Sequence, residues 1–186
     1  MPSGYYRYPT IHSDTVVFVC EDDLWSVPAT GGVARRLTSN LGEVTRPLLS
    51  PDGTQLAFVG REEGQSEIYL MPAVGGQARR LTFMGGTLCL TAGWTRDGKI
   101  VFANNAAQPF PALLHLYVVD AEGNPPVRIE VGPARDLRLH TRAMRGPCRD
   151  GVSCSTIPPF AHTPNLRYNF TMNVPATRAI VEDMLC

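Results

Sequence analysis

The chain contains one twelve-residue phrase twice, as "VPATGGVARRLT" at 27–38 and as "MPAVGGQARRLT" at 71–82. Each copy stands at the end of a longer sequence repeat. A third, less similar repeat ends near "PPVRIE" at 125–130. Each unit holds, in the same order, a turn, a β-rich run with a Phe, a second β-rich run with a Trp or Tyr, and a final polar segment. Self-similarity at a fixed period indicates a fold built from repeated supersecondary units.

Each unit is predicted to form four short strands. "SPDG" at 50–53 has Pro and Gly where a β-turn favours them, and "TRDG" at 95–98 is the same turn without Pro. β-rich runs such as "QLAFVG" and "IYLM" follow the turns. Four antiparallel strands repeated every ~40–45 residues are typical of a β-propeller blade. A β-sandwich is the alternative, but a sandwich does not repeat turn, aromatic residue and outer strand in one order.

The sequence therefore predicts an all-β fold, an incomplete β-propeller of about three four-stranded antiparallel blades. The expected blades cover about 4–44, 45–88 and 89–134. Six aromatic residues at equivalent positions are expected to pack between neighbouring blades: Phe18, Phe58, Phe102, Trp25, Tyr69 and Tyr117. The outward faces of the first and last blades are expected to expose apolar surface and to favour association.

The repeat pattern ends after residue 134, and 135–186 is predicted to be an irregular tail that is foreign to the propeller. It contains three of the five cysteines and no turn or aromatic residue in register. Its cysteines and histidines are not spaced like a zinc site, and "GVSCS" at 151–155 is not a G-x-S-x-G nucleophile elbow. No catalytic residue, metal or cofactor is therefore predicted for this chain.

The charge balance argues against some classes of partner. Lys plus Arg and Asp plus Glu are equal at 17 each, so net charge gives no reason to expect nucleic acid or an acidic membrane. The sequence shows no export signal and no run of the ~20 apolar residues that a membrane helix needs. A cytoplasmic protein is expected.

Two arginine pairs are the candidate contact residues, with peptides or partner subunits as their ligands. Arg35 and Arg36 occupy the same place in the first unit as Arg79 and Arg80 in the second. They are expected either to bind carboxylates or to be solvated charges that protect an exposed edge strand. Other residues are expected to shape turns, by hydrogen bonding or by positive φ: Asp52, Gly53, Asp97, Gly98, Gly31, Gly32, Gly75 and Gly76.

The second unit, "LSPDGTQLAF…IYLMPAVGGQARRLT", resembles the PD40 repeat of TolB-like and tricorn-like propellers. The opening, "GYYRYPTIHSDTVVFVCEDDLW", is similar to the start of tricorn protease homologues. The resemblance covers about 4–134. It implies the beginning of a propeller that precedes a serine-protease domain in a cytoplasmic homo-hexamer, where the propeller gates or docks peptides. No residue here matches that family's catalytic motifs. The alternative is a TolB-like propeller that serves as a protein-interaction scaffold without a protease.

Overall fold

The computed structural model describes residues 5–39, 41–62 and 64–135, and every regular element in these ranges is a β-strand. Twelve strands form three four-stranded sheets, and each sheet is built from strands consecutive in the chain. Within each sheet the neighbouring strands are antiparallel. The predicted fold class is confirmed. The expected tail lies outside the described residues from 136 onward.

The blades have the following strands. Blade 1 contains β1 (Arg7–His12), β2 (Thr15–Cys20), β3 (Asp23–Pro28) and β4 (Arg35–Arg36). Blade 2 contains β5 (Thr45–Leu49), β6 (Gln55–Gly60), β7 (Glu67–Pro72) and β8 (Arg79–Arg80). Blade 3 contains β9 (Cys89–Trp94), β10 (Ile100–Asn104), β11 (His115–Val119) and β12 (Val127–Pro133).

Glycines close the hairpins at the positions where the backbone is left-handed. In blade 2 the N–H of Gly53 donates to Ser50 O at 2.9 Å, and the φ of Gly53 is 71°. At the outer hairpin the N–H of Gly75 donates to Pro72 O at 2.9 Å, and the φ of Gly75 is 95°. Residues with a Cβ rarely adopt such values, so glycine fixes where each strand ends.

The blades pack face to face through two apolar clusters. Residues of β2 and β3 in blade 1 meet Phe58 and Tyr69 of blade 2, and residues of β6 and β7 meet Phe102 and Tyr117 of blade 3. Phe58 stacks on Tyr69 and Phe102 on Tyr117, each with ring centroids 5.7 Å apart. Full burial of one such side chain stabilises the fold by ~1.5–3 kcal/mol, so these two seams hold the array together.

Two expectations about the outward faces need correction. Phe18 and Trp25 do not lie between blades, because they point away from blade 2 and no blade precedes them in the described residues. The outward face of blade 3 does not expose its centre: Val101, Ala103 and Leu116 are at most 1% exposed. They form a third apolar cluster with Leu114 and Ile129, and a ring of partly buried side chains packs around it: Leu88, Leu90, Ala92, Val118, Val131 and Ala134.

Candidate functional site

The second arginine of each repeated pair is bound by an acid of its own blade. In blade 1 the Arg36 guanidinium donates to the Asp23 carboxylate, and Thr38 Oγ1 donates to Asp23 Oδ1 at 3.0 Å. The same hydroxyl oxygen accepts a hydrogen bond from the N–H of Leu24 at 2.9 Å. We call this acid, arginine and threonine the latch, because it ties the start of β3 to the chain beyond β4.

Blade 2 has the same latch with a longer acid. Glu67 is fully buried, its Oε2 accepts from Thr82 Oγ1 at 2.5 Å, and its Oε1 lies 3.5 Å from Arg80 Nη2. Thr82 Oγ1 in turn accepts from the N–H of Ile68 at 2.9 Å, and Glu67 Oε1 accepts from the N–H of Gly85 at 2.7 Å. A buried carboxylate needs such partners, since an unpaired buried charge strongly destabilises a fold.

Blade 3 departs from this arrangement. By strand register His115 stands where blades 1 and 2 have their acid, since it pairs with the last residue of the preceding strand. Arg128 takes the arginine position opposite Tyr117, and its Nε lies 3.5 Å from Glu130 Oε1. The Nδ1 of buried His115 has no hydrogen-bond partner in the part of the chain that the structure describes. In blade 3 the acid paired with the arginine therefore lies on β12, and not on β11.

The first arginine of each pair reaches the next blade. Arg35 Nη2 donates to Val74 O at 2.5 Å, in the outer hairpin of blade 2. Arg79 donates through Nη1 to Glu122 O at 2.9 Å and through Nη2 to Ala121 O, in the outer hairpin of blade 3. These guanidiniums therefore join adjacent blades.

The predicted contact arginines thus already have intramolecular partners. All four lie on the short outer strands β4 and β8, which pair with β3 and β7. Arg35, Arg36 and Arg79 are also exposed, so their partners do not remove them from the surface. Their contact with peptides or subunits remains a proposal.

Hydrogen bonds in the turn before β6 shift the pKa of the exposed acid Asp52. Its carboxylate accepts from Ser50 Oγ at 2.5 Å, from Thr54 Oγ1 at 2.7 Å and from the N–H of Thr54 at 3.1 Å. These hydrogen bonds favour the charged form and lower the pKa of Asp52 to about 2. In blade 3 the partner differs: Lys99 Nζ lies 2.8 Å from the Asp97 carboxylate, and this bond lowers the pKa of Asp97.

Two residues with positive φ lie at the inner edge of the array, which is formed by the first strand of each blade, and the sequence did not predict them. Tyr8 on β1 and Arg46 on β5 have φ values of 50° and 51°, and each lies at an irregularity in strand register. The Arg46 guanidinium lies 5.3 Å from the centre of the Tyr8 ring, and Thr91 Oγ1 of β9 donates to Arg46 O at 2.7 Å. Positive φ in residues with a side chain concentrates at functional sites. Their shared signal was a following proline, in "YP" at 8–9 and "RP" at 46–47.

The described residues show no metal cluster, and the thiol of Cys89 is buried. No group of three or more His, Cys, Asp or Glu in 5–39, 41–62 and 64–135 is arranged to hold a metal. Burial raises the pKa of the Cys89 thiol to about 12, so it stays protonated near neutral pH. No helix capable of crossing a membrane occurs among the same residues. Ser153 and the tail cysteines lie outside them.

Comparison with known proteins gives a consistent result. The family model described as tricorn protease N-terminal beta propeller domain matches residues 3–145. Tricorn protease homolog 1 of Streptomyces coelicolor is 32% identical over 146 residues, which are 77% of this chain and 14% of that protein. The crystal structure of the tricorn protease superimposes with a TM-score of 0.67 and 29% identity, over 74% of this chain and 14% of that one.

One relative is much shorter. The putative tricorn-like protease N-terminal subunit of Sulfurisphaera tokodaii is 28% identical over 140 residues, which are 73% of this chain and 71% of that protein. The chain therefore spans a small part of the long relatives and most of the short one.

Proposed function

Because the chain belongs to the family of tricorn protease N-terminal β-propeller domains, we propose that it is the non-catalytic propeller part of a cytoplasmic tricorn-type serine protease that degrades oligopeptides. In this role the propeller docks peptides or gates their passage, and it contacts subunits of the same assembly, for which the resemblance implies a homo-hexamer. The observation that carries the proposal is the family match over residues 3–145. The short Sulfurisphaera tokodaii relative, whose name describes an N-terminal subunit, supports a separate propeller chain.

We propose that peptides dock at the inner edge of the blades. The inner strands β1, β5 and β9 lie next to one another, and Thr91 of β9 bonds Arg46 of β5 across two blades. Arg7 and Arg46 both place their guanidiniums near the Tyr8 ring, at 6.0 and 5.3 Å. The Arg7 guanidinium is already paired with the Asp22 carboxylate at 2.8 Å, so Arg46 beside the Tyr8 ring is the cation that suits a peptide carboxylate.

The proposal is tested with fluorescently labelled oligopeptides that have a free carboxylate. We expect the purified chain to raise their anisotropy without cleaving them, and Arg46→Ala to weaken binding about tenfold, the ~1.4 kcal/mol of one charge-assisted contact. Arg128→Ala is the matched control, because Arg128 lies on the outer strand β12 and is not one of the candidate contact arginines. Peptide cleavage that disappears with Ser153→Ala, or absence of any binding, would contradict the proposal.

A further inference from the structure

The inner edge of the array holds a pocket where strands β1, β5 and β9 end. Its volume is about 290 Å³, and all three blades contribute to its lining. The inner strands of a propeller surround a central channel, so this pocket faces a space that stays open whichever blades follow. We call the pocket the end pocket and define it by His12, Leu48, Pro51, Ala92 and Trp94.

The lining of the end pocket favours an apolar group, because two of its polar side chains already have partners. Trp94 Nε1, the only donor of the indole, donates to Leu48 O at 3.1 Å and holds the ring in place. Ser50 also borders the pocket, and its Oγ donates to Asp52 at 2.5 Å and accepts from the N–H of Gln55 at 2.9 Å. The volume is at the small end of ligand sites, so the pocket suits one side chain rather than a whole ligand.

The wall of the end pocket on the side of blade 1 is the half-buried imidazole of His12. A Cβ on Gly53 would overlap this imidazole, so the glycine lets the turn of blade 2 close on it. The position of His12 is therefore set by its contact with blade 2.

The end pocket and Arg46 lie at opposite ends of β5. Arg46 is the second residue of this strand, and Pro51 lies just beyond its last residue. Four residues of extended chain span ~13 Å, which is about the distance from Arg46 to the middle of the pocket. We propose that the end pocket binds an apolar side chain of the docked peptide, four residues before the residue that carries the free carboxylate. This inference rests on the proposed docking of peptide carboxylates at Arg46.

Fluorescence anisotropy with seven-residue peptides tests this inference. The peptides carry a label at the amino end and consist of Gly and Ser, with either Leu or Ser at position three. We expect the Leu peptide to bind about tenfold more tightly, since burial of one Leu side chain gives at least this factor. Moving the Leu to position five should remove the preference. His12→Ala should weaken it by opening the wall, whereas Asp14→Ala, an exposed residue of the turn after β1, should leave it unchanged.

A second measurement on the unmodified chain covers the case in which His12→Ala does not fold. Bromophenylalanine at position three should quench the fluorescence of Trp94 in the pocket, and Phe at that position should not. The other tryptophan, Trp25, lies on β3 of blade 1 and supplies a constant background. If the peptides bind as free acids and not as amides, but the Leu and Ser peptides bind alike or bromophenylalanine does not quench, the proposed function stands and this inference is overturned. If no peptide binds, both fail.

Discussion

Removing one hydroxyl from the latch of blade 2 should destabilise the whole array. Thr82→Val keeps the shape of the side chain but deletes two hydrogen bonds at Oγ1, one to Glu67 Oε2 at 2.5 Å and one from the N–H of Ile68 at 2.9 Å. All three groups are buried, so water cannot replace the lost partner.

The expected loss follows from those two bonds. A hydrogen bond to a charged group contributes ~1.5–3 kcal/mol, and a buried N–H left without a partner costs ~1–3 kcal/mol. The added methyl group returns ~1 kcal/mol of apolar burial. We therefore expect Thr82→Val to lower the free energy of unfolding by about 1.5–5 kcal/mol, several times the effect of an ordinary surface change.

Urea denaturation followed by circular dichroism measures this change. Thr15→Val is the matched control, because Thr15 is exposed and takes part in no latch, and it should stay within ~0.5 kcal/mol of the unmodified chain. Glu67→Gln added to Thr82→Val should cost less than the sum of the two single changes, since both act on one bonded unit. A loss below ~0.5 kcal/mol for Thr82→Val would refute the role given to the latch.

Three further experiments test other parts of the structure. Arg79→Ala should lower the free energy of unfolding by about 1 kcal/mol in urea titrations, because it removes the bonds to Ala121 O and Glu122 O, while Gln77→Ala should change nothing. The hydrogen bonds that lower the pKa of Asp52 stabilise the fold above the ordinary pKa near 3.8, and their contribution should disappear as the pH falls through about 2. Asp52→Asn should remove this pH dependence, and an NMR titration midpoint near 3.8 for Asp52 would contradict it. Mass-spectrometric mapping of iodoacetamide labelling at pH 8 should show Cys89 reacting far more slowly than Cys20 in the folded chain and equally fast in denaturant, since Cys89 is buried and Cys20 is half-buried.

The repeated strands and their turns could be predicted from the sequence because they depend on local chemistry. Turns that end in Gly53 and Gly98, and alternation of apolar residues after them, specify strand ends and faces within a few residues. The latch was not predicted, because its acid and arginine are 13 residues apart in blade 1 and one blade uses Asp23 where the other uses Glu67. The sequence signals were an acid at the start of the third strand in both units and the arginine and threonine of the repeated "RRLT".

The hydrogen bonds of Arg35 and Arg79 to the next blade could not be predicted from the sequence. Their acceptors are backbone carbonyls of residues 39 and 42 or 43 positions away, and a carbonyl carries no residue identity. The outward faces of blades 1 and 3 also could not be distinguished by composition, since both are apolar. In the structure Val101 and Leu116 of blade 3 are buried, whereas Phe18 and Trp25 of blade 1 are half-buried.

Long-range proton contacts in NMR spectra test most directly whether the three blades pack on one another in chain order. We expect contacts from the Phe58 ring to the methyl groups of Val17 and Leu24, and from the Phe102 ring to those of Ala57 and Ile68. Contacts from the Phe58 ring to Val101 of blade 3 instead, or no contacts between sheets at all, would contradict the stacked-blade structure.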